Sequence, residues 1–201
     1  MLYPFEKMGG TASSLDAVAR RPQAAEKVMM VLFFLFVTTL YSGTAKAFEL
    51  YKTFQTPDVF LAEMFNNNVP TPVVLNLDSQ AQSEISSVFK RPFPSQRVRY
   101  WKDESKTVWV FDDIGKEGYV PTTSGFAISN GAVETARVLI YRESRGEQVA
   151  EPSFLNQLKG ATASGTGLSN KVDNITGATL SVVMMERMAR TAITLDSLSR
   201  K

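Results

Sequence analysis

The sequence contains no cysteine and no histidine. Their absence excludes disulfides, thiolate or imidazole metal sites, Ser-His or Cys-His nucleophile pairs, and lipidation through a mature N-terminal cysteine. A carboxylate-only Mg²⁺ or Ca²⁺ site stays open. Demanding chemistry in such a chain falls to a borrowed cofactor. Net charge is also scarce, at +2 over 201 residues, and it is unevenly placed. Residues 1–47 hold five basic groups (Lys7, Arg20, Arg21, Lys27, Lys46) and three acidic ones (Glu6, Asp16, Glu26), which leaves seventeen of each in the remainder. A neutral domain without a basic stripe is a poor nucleic-acid binder. That class is excluded. What remains is room for one ordinary domain and an appendage, with a hydrophobic share of 44% that is enough to bury a core.

Long apolar runs are limited to one. Val28–Tyr41 reads VMMVLFFLFVTTLY, 14 residues with a basic flank before it and Ala45-Lys46-Ala47 after it. A basic flank, a short apolar stretch and small residues at an A-x-A site describe a secretory signal peptide. Crossing a bilayer takes about 20 apolar residues, so an uncleaved anchor over residues 28–47 is the second reading. Both place the domain outside the cytoplasm, in the periplasm or an equivalent extracytoplasmic space. The chain then divides into residues 1–47 as signal peptide or anchor, 48–94 as a helical N-terminal region, and 95–201 as the main domain.

Beyond Ala47 the pattern reads helices, then strands, then a helix. Thr56-Pro57-Asp58 opens a helix through Phe65, with threonine as cap, proline at the first helical position and aspartate at the positive end. Asn66-Asn67-Asn68 and Pro70-Thr71-Pro72 end it, and Asp78 caps a second helix to about Lys90. Arg97–Trp101 and Thr107–Phe111 flank a charged turn, a hairpin shape. Ser124–Ile128 and Val133–Tyr141 flank Ser129-Asn130-Gly131, and Asn-Gly favours the positive φ of a tight hairpin turn. Gly160–Asn170 is small and polar, the composition of a flexible loop. From about Leu180 to Ser197, Val182, Met185, Met188, Ala189, Ala192 and Leu195 recur at helical spacing and make one apolar face. The expected fold is α+β, an antiparallel sheet packed with helices, one side covered by the C-terminal helix.

Immediately before that helix stands Asp173-Asn174-Ile175-Thr176-Gly177-Ala178-Thr179-Leu180-Ser181. Gly177 permits close backbone approach to a ligand and Ala178 adds little bulk. Thr176, Thr179 and Ser181 put hydroxyls at the start of a helix whose free N–H groups attract anions. Asp173 is discordant beside a phosphate unless a cation bridges the two. The same residues also read as ordinary helix caps, and both readings stand.

The pattern D-x-x-[ST]-G-A-T-x-[ST], filled from Asp173 to Ser181, resembles the flavinylation motif of FMN-binding domains. Such domains occur in flavin-carrying subunits of sodium-translocating quinone reductases and Rnf-type complexes, and in stand-alone exported proteins, to which this chain is most similar. The resemblance extends over residues 95–197 through Asp113-Ile114-Gly115-Lys116, the strands around Asn130-Gly131, and Tyr141–Gly146. Glu143-Ser144-Arg145-Gly146 sits where respiratory-complex relatives carry Glu-Thr-Pro-Gly. It implies FMN joined through a phosphoester to Thr179, with cofactor contacts from Asp173, Thr176, Gly177, Ala178, Leu180, Ser181, Glu143, Ser144 and Gly146. It further implies a separate flavin transferase using FAD, which Asp173 or a metal bound near it would serve. Gly160-Ala161-Thr162-Ala163-Ser164 also spells G-A-T-x-S, but Lys159 and Asn156 stand where the motif requires a hydroxyl and an aspartate, and no helical pattern follows.

The leading expectation is an exported electron carrier with covalent FMN, exchanging electrons with membrane or periplasmic redox proteins. The alternative is a binding or assembly protein whose hydroxyl-rich turn only caps the last helix. An independent reductase is a third class, for which no dinucleotide fingerprint exists in the chain. Glu143 and Arg145 are either ring contacts or exposed loop charges. Trp101, Trp109, Tyr119 and Phe126 are either stacking partners or core.

Overall fold

Capping chemistry sets the first two helices. Thr56 Oγ1 accepts from the Val59 N–H at 3.4 Å and starts α1 (Pro57–Met64). Asp78 Oδ1 accepts from the Ala81 N–H at 2.8 Å and starts α2 (Ser79–Phe89), which ends at a left-handed Lys90. Both match the sequence expectation. The computed structural model describes residues 51–116 and 120–201. Val28–Tyr41, Ala45-Lys46-Ala47 and Tyr119 lie outside the described residues.

Six strands make one sheet: β1 (Lys52–Thr53), β2 (Val73–Asn76), β3 (Arg97–Lys102), β4 (Thr107–Asp113), β5 (Thr122–Ser129) and β6 (Ala132–Tyr141). Their order is β1-β6-β5-β4-β3-β2, and every pairing is antiparallel. Asn130 at φ 52° and Gly131 at φ 73° turn β5 into β6, the left-handed pair that matches strand twist. Strands β1 and β2 fall inside the stretch expected to be helical. Val73 and Val74 are exposed on an edge strand, so no alternation announces β2.

Alternate strand residues feed two layers. Tyr100, Trp109, Phe126, Ile128 and Val138 face a core shared with α2, α3 (Pro152–Leu158) and α4 (Thr179–Ser199). Val108, Ala127 and Leu139 point the other way and meet Phe60, Leu61, Met64 and Phe65 of α1. Burial of such side chains supplies about 1.5–3 kcal/mol each, so both layers hold the sheet.

Helix α4 buries the face expected of it, from Val182 through Leu195. It also buries Met184, Thr191, Ile193 and Thr194, because α2 packs along a second side of it. Thr191 and Thr194 settle their hydroxyls on the Arg187 and Arg190 carbonyls one turn back, at 2.8 and 3.0 Å. The stretch 160–170 is more ordered than its composition suggests. Ala163–Ser164 (β7) and Gly167–Leu168 (β8) form a small hairpin around a left-handed Gly165. Arg190 of α4 donates to the Gly165 carbonyl at 3.1 and 2.8 Å, fixing the turn.

Candidate functional site

The turn before α4 does not cap it. Ala178 is the N-cap, and no side chain accepts from the first helical N–H groups. The capping alternative therefore fails: the N–H groups of Thr179, Leu180 and Ser181 have no acceptor among the described residues. These are the unpaired donors that make a helix start attractive to anions. Gly177, at φ 83°, bends the chain into Ala178, and a Cβ there would meet nothing within 4 Å. The backbone is thus open on the side a ligand would approach.

Each hydroxyl of the motif has a different fate. Thr179 is exposed, and its Oγ1 accepts from Asn174 Nδ2 at 3.0 Å. That bond fixes the oxygen and leaves its own proton undirected. Thr176 is exposed to solvent. Ser181 is buried, with its Oγ 3.0 Å from the Tyr141 hydroxyl. Asp173 is exposed and is placed by its backbone N–H, which donates to Gln157 Oε1 of α3 at 2.8 Å. Among the described residues no cluster of three carboxylates is arranged to hold a metal ion.

A cleft of about 530 Å³ opens over this turn, lined by Gly177–Ser181 on one side and by Lys116 and Glu143–Arg145 on the other. That volume suits a cofactor-sized ligand. Of the residues expected at the site, Thr179, Gly177, Ala178, Leu180, Ser181, Glu143 and Ser144 line the cleft; Asp173, Thr176 and Gly146 do not. Gly146 shapes it from behind, at φ 95°, where a Cβ would overlap Ser181 Oγ and lie 2.8 Å from the Tyr141 hydroxyl.

Buried charge positions the far wall. The Asp113 carboxylate, fully buried, pairs with Arg91 and with Arg187 Nε at 2.8 Å, and accepts from the Ile114 N–H at 2.7 Å. Arg187 also donates to the Ile114 carbonyl at 2.8 Å. Burial lowers the pKa of the Arg187 guanidinium, against the opposing charge of Glu143. One residue on, the Gly115 N–H donates to Glu143 Oε1 at 2.6 Å. The segments 113–116 and 143–146 thereby meet, and both are tied to α4.

The aromatic candidates separate cleanly. Trp109 and Phe126 are fully buried in the core, Trp109 stacked on Tyr100 at 4.5 Å between centroids. Trp101 packs against the α1 layer. None of the three lines the cleft. Asn174 and Tyr141 are the functional positions that residue type alone did not single out. Asn174 occupies an unspecified position of the motif, and Tyr141 reads as an ordinary strand aromatic.

The donor set suits a ligand with a phosphate and a planar body: unpaired helix N–H groups, an open glycine, a presented hydroxyl and two cations. Residues 115–194 match the model of the FMN-binding domain family. The match begins at Gly115 and takes in every residue lining the cleft. It supports FMN binding by this stretch of chain. Comparison with curated proteins and with solved structures returned no match. Among the described residues no helix is long and apolar enough to cross a membrane.

Proposed function

We propose that the cleft holds FMN through a phosphoester on Thr179 Oγ1, and that the protein carries electrons between redox partners outside the cytoplasm. One observation carries the attachment: a hydroxyl held by Asn174 stands at the first position of an uncapped helix, at the edge of the cleft. When bound, flavin supplies one- and two-electron chemistry, so a protein holding it can link two-electron donors to one-electron acceptors.

The chain's own residues divide the work. Thr179 is the acceptor. Its hydroxyl loses a proton and gains the bond to phosphorus, while AMP leaves from the FAD that a separate transferase delivers. The N–H groups of Thr179, Leu180 and Ser181, at the positive end of the α4 dipole, stabilise the phosphate charge. Asn174 keeps Oγ1 facing outward. Asp173, exposed ahead of the turn and outside the cleft lining, is placed for the transferase or its metal rather than for the phosphate. Glu143, Ser144 and Arg145 face the remaining space.

Fluorescence of the denatured protein band after co-expression with a flavin transferase tests this reading. A yellow, fluorescent band is expected. A band that stays dark under conditions that label an authentic acceptor rules it out. Export rests on the basic flank, the apolar run Val28–Tyr41 and Ala45-Lys46-Ala47, with Phe48 as the mature first residue. N-terminal sequencing of natively produced protein checks it, and a membrane-bound chain retaining residues 28–41 identifies the anchor instead.

A further inference from the structure

The cleft carries one cation that flavin attachment leaves unused. Arg145 lines the cleft and is exposed, and its side chain has no partner among the described residues. The other charged groups of the lining differ. Glu143 is engaged by the Gly115 N–H, and Lys116 is itself engaged. In charge these two offset one another, so Arg145 gives the cleft its net positive charge.

Residue 145 is also fixed in place. The Tyr141 hydroxyl donates to the Arg145 carbonyl. A phenol has one proton, so in the 3.0 Å contact between Tyr141 and Ser181 the serine is the donor. Gly146 comes next in a left-handed conformation, and its missing Cβ is what lets Ser181 and Tyr141 meet there. The turn bearing Arg145 is thereby locked to the first turn of α4.

We propose that Arg145 sets the redox bias of this cleft, making a flavin held there easier to reduce than it would be beside a neutral residue. The proposal rests on the flavin reading of the cleft. Uptake of two electrons and one proton adds one negative charge to the flavin. A cation favours that product over the oxidised form. A volume of 530 Å³ is about 8 Å on a side, close to the screening length at physiological salt. The guanidinium therefore acts on whatever occupies the cleft. Ser181, with its proton given to Tyr141, is a positioning residue here, although its backbone N–H still faces the phosphate.

Redox titration of the flavin-loaded protein, with Arg145→Gln and Arg145→Lys, tests the proposal. Flavin content is read first, by absorbance, and midpoint potentials are compared per bound flavin. Arg145→Gln is expected to shift the equilibrium about tenfold toward the oxidised form, about 30 mV for a two-electron couple, and Arg145→Lys to keep most of the wild-type value. The wild-type potential should fall toward that of the glutamine variant as salt rises. Equal potentials for wild type and Arg145→Gln at low salt overturn the proposal. So does a glutamine variant that melts normally but carries no flavin, because Arg145 is then an attachment residue. A wild-type protein that never acquires flavin fails at the absorbance step, which refutes the flavin reading and this proposal with it.

Discussion

Residues 160–164 and 177–181 both spell Gly-Ala-Thr-x-Ser, and the fold treats their first three positions alike. Both glycines are left-handed, at φ 77° and 83°. Ala161 and Ala178 are buried, and Thr162 and Thr179 are exposed. The segments part after the threonine. The Gly160 N–H donates to the Val133 carbonyl at 2.8 Å, and the Thr162 N–H donates to Ser169 Oγ at 3.0 Å, so the first segment runs into the β7–β8 hairpin. The second runs into α4 with three unpaired N–H groups and a cleft opposite. Five letters specify a bend. The helix beyond the second bend, and the cleft facing it, make that one a site.

Removing the two hydroxyls gives the largest separation between the segments. Thr179→Ala should abolish covalent flavin completely, because only a side-chain oxygen can form the phosphoester. The variant should still fold, since the lost contact is one exposed hydrogen bond to Asn174, about 1 kcal/mol, and alanine favours the helix. Thr162→Ala should label like wild type. A fluorescent denatured band from Thr179→Ala would show that the acceptor lies elsewhere.

The next largest effect lies in the wall facing Thr179, which Thr162 lacks. Gly146→Ala places a Cβ into Ser181 Oγ at a left-handed position. Overpacking and backbone strain together should cost on the order of 3 kcal/mol, read as a lower midpoint in denaturant melts. A variant as stable as wild type would mean that the Tyr141–Ser181 contact does not hold the turn.

How much of this is legible in the chain depends on the range of the signals. Thr56, Asp78 and Asn130-Gly131 act on neighbours within three residues, so their helices and hairpin read directly from the sequence. Val73–Asn76 is exposed on an edge, and Pro152–Leu158 starts without a side-chain cap, so neither left a pattern. At the site, the motif placed Thr179 at a helix start. Its opposite wall comes from residues 116 and 143–146, which reach the cleft through the buried Asp113–Arg187 pair and the Tyr141–Ser181 contact. No local pattern encodes those. Ser181 reads as a ligand hydroxyl in the motif, and the fold turns it to Tyr141.

Tyr141 offers a subtler handle on the same wall. Burial pushes its phenol up to about 12, with the charges of Glu143 and Glu147 adding and the Ser181 hydrogen bond opposing. Below the ordinary tyrosine value of about 10, folded and unfolded chains both keep the proton, and the group's contribution is fully present. Between about 10 and 12 the unfolded chain ionises first, so stability falls as pH rises. Melting curves across pH 9–12 should drop more steeply for wild type than for Tyr141→Phe, the two running parallel below pH 9. Parallel curves throughout would mean that the phenol is not buried against Ser181.

The smallest expected effect sharpens the comparison most. Gly160→Ala and Gly177→Ala each add a Cβ that meets nothing within 4 Å, at a positive φ in both cases. Sterics then cannot distinguish them, and each should cost about 1 kcal/mol from left-handed strain alone, a melting shift of about 2–4 °C. Their effect on flavin should differ. Gly177 bends the chain into the N-cap Ala178, so relaxing its φ re-aims the unpaired N–H groups and the Thr179 hydroxyl together. The comparable relaxation at Gly160 disturbs only a hairpin on which no ligand depends. Initial labelling rates by a flavin transferase, measured on both variants at matched stability, should therefore fall for Gly177→Ala and match wild type for Gly160→Ala. Equal rates would mean that the transferase reads Asp173 and Thr179 as an extended sequence, without needing the folded start of α4.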